Sequence, residues 1–396
     1  MNKKLPVNGG GGGGAGLPAL STRNALWLGW KLLILLSIAL CVLAFLRLQT
    51  FSRQFQYSSS SSPSTLIRSR FVDSFDFQGN AKVAFLFLAR KDLPLDFLWG
   101  SFFENADVAN FSIYIHSEPG FVFHESTTKS AFFYNRQLKN SIKVAWGESS
   151  MIQAERLLLG TALEDPANQR FVLLSDSCVP LYNFSYIYSY LMASPRSFVD
   201  SFLDKKEGRY NPKMSPVIPQ SKWRKGSQWI ALVRRHAELI VDDKTIFPVF
   251  GKFCKRRPPV DASKGKLNLK LQKQHNCIPD EHYVQTLLAM NAVEDELERR
   301  AVTYTLWNQS TTKTEKGWHP VTFSYADARP EQIKRIKEIN HVYYDTEFRT
   351  EWCKNNSTLV PCFLFARKFS RGAAMRLLSE RVVGEFDVSS LLDLPP

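Results

Sequence analysis

The sequence predicts an α/β body built on a doubly wound, mostly parallel sheet and preceded by a single membrane-spanning helix. Three observations predict it. Short apolar segments recur at roughly thirty-residue intervals from 82 to 175, helical patterns lie between them, and a long apolar run stands near the start of the chain. Strands buried on both faces read as near-continuous apolar runs, and strands alternating with helices at this interval mark βαβ units.

In chain order, residues 1–24 contain six consecutive glycines, Gly9 to Gly14, which bury no apolar surface and read as a cytosolic tail. Residues 25–46, ALWLGWKLLILLSIALCVLAFL, carry one charge, Lys31. At about 1.5 Å per residue this run reaches roughly 33 Å, the thickness of a bilayer core. A cleaved signal peptide is the rival reading, but the run is long and no small-x-small cleavage site follows it, which favours a retained anchor. Lys3, Lys4 and Arg23 before the span and Arg47 and Arg53 after it leave little positive-inside bias. Orientation therefore rests on the Asn-x-Ser/Thr sequons at Asn110, Asn183, Asn308, Asn355 and Asn356, all of which follow the span. They favour a lumenal body and N-glycosylation. Residues 47–79, with YSSSSSPS, read as a lumenal stem, and the folded body is expected at 80–396.

Within the body, strands are expected at 82–90, 111–116, 142–146 and 171–175. A helix is expected at 149–165, where Ile152, Leu158, Leu159 and Leu163 share one side. Open parallel sheets bind ligands beyond the carboxyl ends of their strands, so LARKD, IHSEP, WGESS and SDSC mark where a site belongs. Further helices are expected at 229–241, 280–300 and 329–339, as an elaboration of the sheet and not as a second domain.

Cys41 lies inside the span, leaving five cysteines in the body. Cys353 with Cys362, and Cys254 with Cys277, suit disulfides in an oxidising lumen, and Cys178, within FVLLSDSCVP, suits a buried thiol. No Cys-x-x-Cys or His-x-x-x-His spacing supports a metal site. Residues 205–275 hold 18 Lys and Arg against five Asp and Glu, a net +13 of the chain's +14. In a lumen nucleic acid is not the partner; nucleotide-sugar diphosphates, acidic polysaccharides, lipid head groups or plain solvation remain. In HNCIPDEH, Pro279 suits a first helical turn and places Asp280 and Glu281 near the positive end of the dipole. Acids are common there, so capping and catalysis both stay open from the motif alone.

Seven blocks in order, KVAFLFLARKDLP, WGESSMIQAERLLL, FVLLSDSCVPLYNF, WRKGSQW, CIPDEHYVQTLL, GWHPVTF and CFLFARKFS, resemble the core-2/I-branching β-1,6-N-acetylglucosaminyltransferases of glycosyltransferase family 14, most closely their plant relatives. The resemblance spans roughly residues 80–380. It implies a GT-A-like fold and an inverting transfer of a sugar, N-acetylglucosamine, from a UDP donor to a glycan hydroxyl in the Golgi. Such a reaction needs a base for the acceptor hydroxyl and stabilisation of the departing diphosphate. The resemblance implies Glu281 as the base, with Asp280 a capping or orienting neighbour. It implies donor binding by Lys368, beside Arg367, without metal or cofactor; no Asp-x-Asp occurs, and the nearest match, Asp345-Thr346-Glu347, reads as a surface turn. It further implies nucleotide contact by His116 and acceptor contact by Arg209 and Trp307, with Trp223 and Trp229 shaping the same wall.

One departure stands out. Where the animal enzymes carry a phosphate-binding arginine in the short disulfide loop, the loop resembling it here, Cys353–Cys362, offers only Lys354. Either another arginine substitutes or the donor is held differently. A noncatalytic Golgi glycan-binding or scaffold protein is the alternative. A glycosidase is disfavoured because Asp280 and Glu281 are sequence neighbours and a poor carboxylate pair. Serine-hydrolase and phosphate-loop signatures do not occur.

Overall fold

The computed structural model describes residues 34–40, 42–43, 77–206, 208–256, 276–307, 320–355 and 357–381. The chain divides into two units, residues 1–71 and 72–396. In the first, the described residues are helical and exposed. Among the described residues no helix is long and apolar enough to cross a membrane. Most of the expected span, with the tail and nearly all of the stem, lies outside them.

The second unit opens with β1 (Lys82–Leu88), α1 (Asp96–Glu104), β2 (Phe111–His116), α2 (Ser149–Leu163) and β3 (Asn168–Ser175). β1 lies between β2 and β3 and is parallel to both, with Val83 opposite Phe111 and Arg170. Successive strand side chains point to opposite faces. Accordingly Val83, Phe85 and Phe87 pack with Trp99, Phe102 and Phe103 of α1, whereas Ala84 and Leu86 share the other layer with Ile152, Leu158 and Leu159 of α2. An all-apolar β1 is thus what a strand covered on both faces requires. Because β2 and β3 lie on opposite sides of β1, the strand order reverses there, and a crevice belongs at the carboxyl ends of these strands.

The remaining elements are β4 (Val179–Pro180), α3 (Phe184–Ala193), β5 (Ser197–Phe198), β6 (Ala231–Val233), α4 (Arg234–Asp242), α5 (Ile246–Phe253), α6 (Tyr283–Met290), β7 (Leu297–Glu298), β8 (Thr303–Thr305), α7 (Pro330–Lys337), β9 (His341–Tyr344), β10 (Arg349–Trp352), β11 (Lys354–Asn355), β12 (Thr358–Leu359), β13 (Phe365–Arg367) and α8 (Arg371–Ser379). The main sheet runs β2-β1-β3-β6-β5-β7, with β6 antiparallel to β3 and β5. A second sheet, β4-β13-β8, places β13 parallel to β8 and antiparallel to β4.

Three expected elements differ. Residues 142–146 are not a strand: beside β2, Gln137 bridges Ile115, so the following segment finds no strand partner there and runs as a largely exposed loop. The segment at 229–241 begins as β6 and turns helical at Arg234. The expected helix at 280–300 is a 3-10 turn, Pro279–Glu281, then α6, then a second 3-10 turn, Glu294–Glu296. His282, with φ −132°, separates the first turn from α6, and Ala292 at φ 56° follows its end. Both disulfides form as expected, with Cα separations of 5.0 Å for Cys254–Cys277 and 5.3 Å for Cys353–Cys362, and Cys178 is a buried free thiol. Asn183 caps α3, its side chain accepting from the Tyr186 N–H, and Asn110 is half-buried. Asn308 and Asn356 lie outside the described residues, as does the side chain of Asn355.

Candidate active site

The 3-10 turn carrying Glu281 is gripped by the WRKGSQW segment. The Gly226 N–H donates to the Glu281 carbonyl at 2.9 Å. His282 stacks on Trp223 with centroids 4.4 Å apart and donates through Nδ1 to the Arg224 carbonyl at 2.7 Å. Glycine is required at 226, because a Cβ there would lie 1.7 Å from the Asp200 carbonyl oxygen. Asp200 in turn accepts from the Ser227 N–H at 2.8 Å and from the Tyr344 hydroxyl at 2.5 Å. So held, the half-buried Glu281 carboxylate accepts from Arg209 Nη1 at 2.5 Å. A charge-assisted pair of this kind fixes the orientation of the carboxylate.

Asp280 lies in a different environment. It is buried, and its carboxyl is pushed up to about 7, first by burial and then by the charge of Glu281, with Arg209 and Arg367 opposing.

The basic wall comes from strand ends. Arg367 closes β13 and lies 4.4 Å from the Trp229 ring centroid. Burial lowers the Lys368 ammonium pKa, Arg367 and Arg90 lower it further, and Asp176 opposes them. Arg90, just past β1, donates from Nε to Asp176, just past β3, at 2.9 Å, and its side chain is 88% exposed. Arg90, Asp176, Arg367 and Lys368 therefore gather beyond the carboxyl ends of three strands. The Arg367 charge is also felt by Asp280, and Asp280 feels Glu281. Electrostatic contact thus links positions 281 and 368 through 280 and 367.

Trp307 follows β8 and is 47% exposed, so it is not core packing. The register that sets Arg367 opposite Thr305 brings Trp307 to the Lys368 end of the sheet, and the Phe323 N–H donates to the Lys368 carbonyl at 2.8 Å. A cleft of about 460 Å³ opens beside it, lined by Leu306, Val321, Phe323, Arg329 and neighbours. His116, at the end of β2, is buried; its Nε2 accepts the Ile142 N–H at 3.1 Å, and burial lowers its pKa. It is a neutral imidazole that ties down the 142–146 loop. Trp223 and Trp229 are buried supports.

Residues 83–337 match the family model described as Core-2/I-Branching enzyme. The chain belongs to the core-2/I-branching enzyme family. Over 318 residues it is 54% identical to "Glycosyltransferase BC10" of Oryza sativa subsp. japonica, covering 79% of this chain and 80% of that protein. Family and relative together make it a glycosyltransferase, with a sugar donor and an acceptor as its substrates. A crystal structure of an active-site mutant of LgtC overlaps 78% of this chain and all of that one at 8% identity and a TM-score of 0.34, too distant to carry an argument.

For this family member, sequence reasoning missed Arg90, Asp176, Glu155 and Gln228. Arg90 and Asp176 sit in LARKD and SDSC, segments the strand-end rule had already marked. Glu155, hydrogen-bonded by Gln228 Nε2 at 2.7 Å, is hidden within an amphipathic helix, and nothing in the local sequence distinguishes it from a surface acid. Among the described residues, no group of three or more His, Cys, Asp or Glu side chains is placed to hold a metal ion. Asp345 pairs with Lys206 and Glu347 with Arg299 and Arg349, in the turn between β9 and β10.

Proposed function

We propose that this glycosyltransferase is inverting and metal-independent, and moves N-acetylglucosamine from a UDP donor to a glycan hydroxyl. Glu281 takes the proton of the attacking hydroxyl. The acceptor hydroxyl oxygen forms the new bond to the anomeric carbon while the bond from that carbon to the β-phosphate oxygen breaks, and UDP leaves with the electron pair. Lys368 and Arg367 meet the charge developing on the diphosphate, and Arg90, exposed beside them, stands in for the arginine missing from the Cys353–Cys362 loop. Arg209 orients Glu281 and offers its remaining donors to acceptor hydroxyls, while the open indole of Trp307 stacks on a sugar ring. His116 acts on the nucleotide side through the loop it holds.

The observation that carries this reading is the electrostatic contact joining Glu281 and Asp280 to Arg367 and Lys368, groups far apart in the chain. The same reading places residues 1–24 in the cytosol, 25–46 in the Golgi membrane as a type II anchor, 47–79 as stem and 80–396 in the lumen. Two disulfides suit that compartment.

Full-length chain from a secretory host, offered UDP-sugars with plant and animal glycan acceptors, tests it by UDP release with and without a chelator. Release from UDP-N-acetylglucosamine should survive chelation and fall about 10²- to 10⁴-fold in Glu281→Gln. Loss of release on chelation ends the metal-free reading, and an undiminished Gln variant removes the base.

A further inference from the structure

Folded proteins keep few buried polar atoms without a partner, because each one costs free energy. Asp280, on the floor of the site, carries one of those found among the described residues. Asp280 is 6% exposed and its Oδ1 has no hydrogen-bond partner. No helix starts at this residue that it could cap, since α6 begins at Tyr283. A second acid, Glu155, 2% exposed, comes from α2, which packs against the 279–281 turn. The charged groups facing Asp280 are Glu155 from α2, Glu281 on its own turn, Arg209 from the loop after β5, and Arg367 at the end of β13. Arg209 is engaged by Glu281, and Arg367 lies over Trp229. Two adjacent buried carboxyls with so little compensation do not both ionise.

We infer that Asp280 is a positioning residue for Glu281: buried on the same turn and unpartnered at Oδ1, it stays a neutral acid beneath the site and leaves the Arg209 guanidinium to Glu281 alone. This rests on Glu281 being the base. The titration behaviour agrees, since burial and then the charge of Glu281 raise Asp280, while burial and then Asp280 raise Glu155. Ionising Asp280 sets a second anion beside Glu281 and makes it compete for Arg209, so the base loses its fixed orientation.

The sign of the stability effect follows. Asp280 has a folded value of about 7 against an ordinary 3.8, so the folded state binds more protons between these values and stability falls as pH rises through that window. Asp280→Asn, the neutral isostere, removes that fall. In full-length protein, the Asn variant should melt above wild type at pH 7.5, with the gap closing toward pH 4. Its UDP release should match wild type near pH 6 and lack the decline wild type shows above pH 7. Glu155→Gln should leave that decline in place, because burial and the charge of Glu281 are what raise Asp280. An Asn variant that fails to fold, melts below wild type at every pH, or has a superimposable pH profile overturns the inference. If Glu281→Gln keeps the wild-type rate, the positioning role falls with the base assignment, while the melting curves still report the protonation of Asp280 separately.

Discussion

The strands that open the body and the segments that close the site are held by different forces. Around β1 the contacts are apolar: the Phe85 ring meets Trp99, Phe102 and Phe103 edge-on at centroid separations of 6.2, 5.8 and 5.2 Å. Around residues 200–227 and 340–352 they are polar and directional. Asp200 links Tyr344 to Ser227, Arg349 donates to the Ser201 carbonyl, and Arg224 clasps Glu294 through two hydrogen bonds. Apolar burial is non-directional and scales with area, whereas a hydrogen bond depends on angle and distance. The first region should therefore govern stability, and the second the aim of Glu281.

That contrast can be broken by substitution. The largest effect is expected for Phe85→Ala, which empties the aromatic layer and should lower stability by about 3–5 kcal/mol. Denaturant melts would show it, with UDP release per folded molecule unchanged. Next comes Gly226→Ala. The added methyl collides with the Asp200 backbone, so about 1–3 kcal/mol of overpacking is expected. Turnover should fall more than about tenfold, because the Gly226 N–H fixes the Glu281 carbonyl and misplacement of the proposed base is costly. Equal loss of rate in both variants would erase the distinction between the regions.

Two smaller effects sharpen it. Arg90→Ala should raise the KM for the UDP donor about tenfold, equivalent to about 1.4 kcal/mol, without a change in melting temperature. Lys354→Ala should leave the KM alone; the reverse pattern would return the second phosphate cation to the disulfide loop. Tyr344→Phe removes the hydroxyl donated to Asp200 and should cost about 1 kcal/mol in stability. Its effect on turnover should be slight, since the Ser227 N–H still holds the carboxylate.

Much of the first region was legible in advance. β1, β2, β3 and α2 follow from runs whose apolar character persists over several residues, and the 142–146 segment was misread because its composition suits a strand while the edge beside β2 is taken by Gln137. The second sheet was invisible, for its strands are two or three residues long and carry no period to detect. At the site, Glu281, Arg209, Arg367 and Lys368 were all named through the resemblance to the family, since the motif of Glu281 alone left capping and catalysis open. Arg90 and Asp176 went unnamed although their segments were marked, because strand-end position alone does not say which charge faces the crevice.

The chain's own order determined the α/β class, the disposition of its cysteines and the inventory of acids and bases, because these follow from local periodicity and side-chain chemistry. Only the tertiary structure decided which of them meet. Coulombic interaction and desolvation depend on distance and burial. Asp280 differs from an ordinary surface aspartate only once the fold buries it beside Glu281, with the loop after β5 bringing Arg209 and β13 bringing Arg367 alongside.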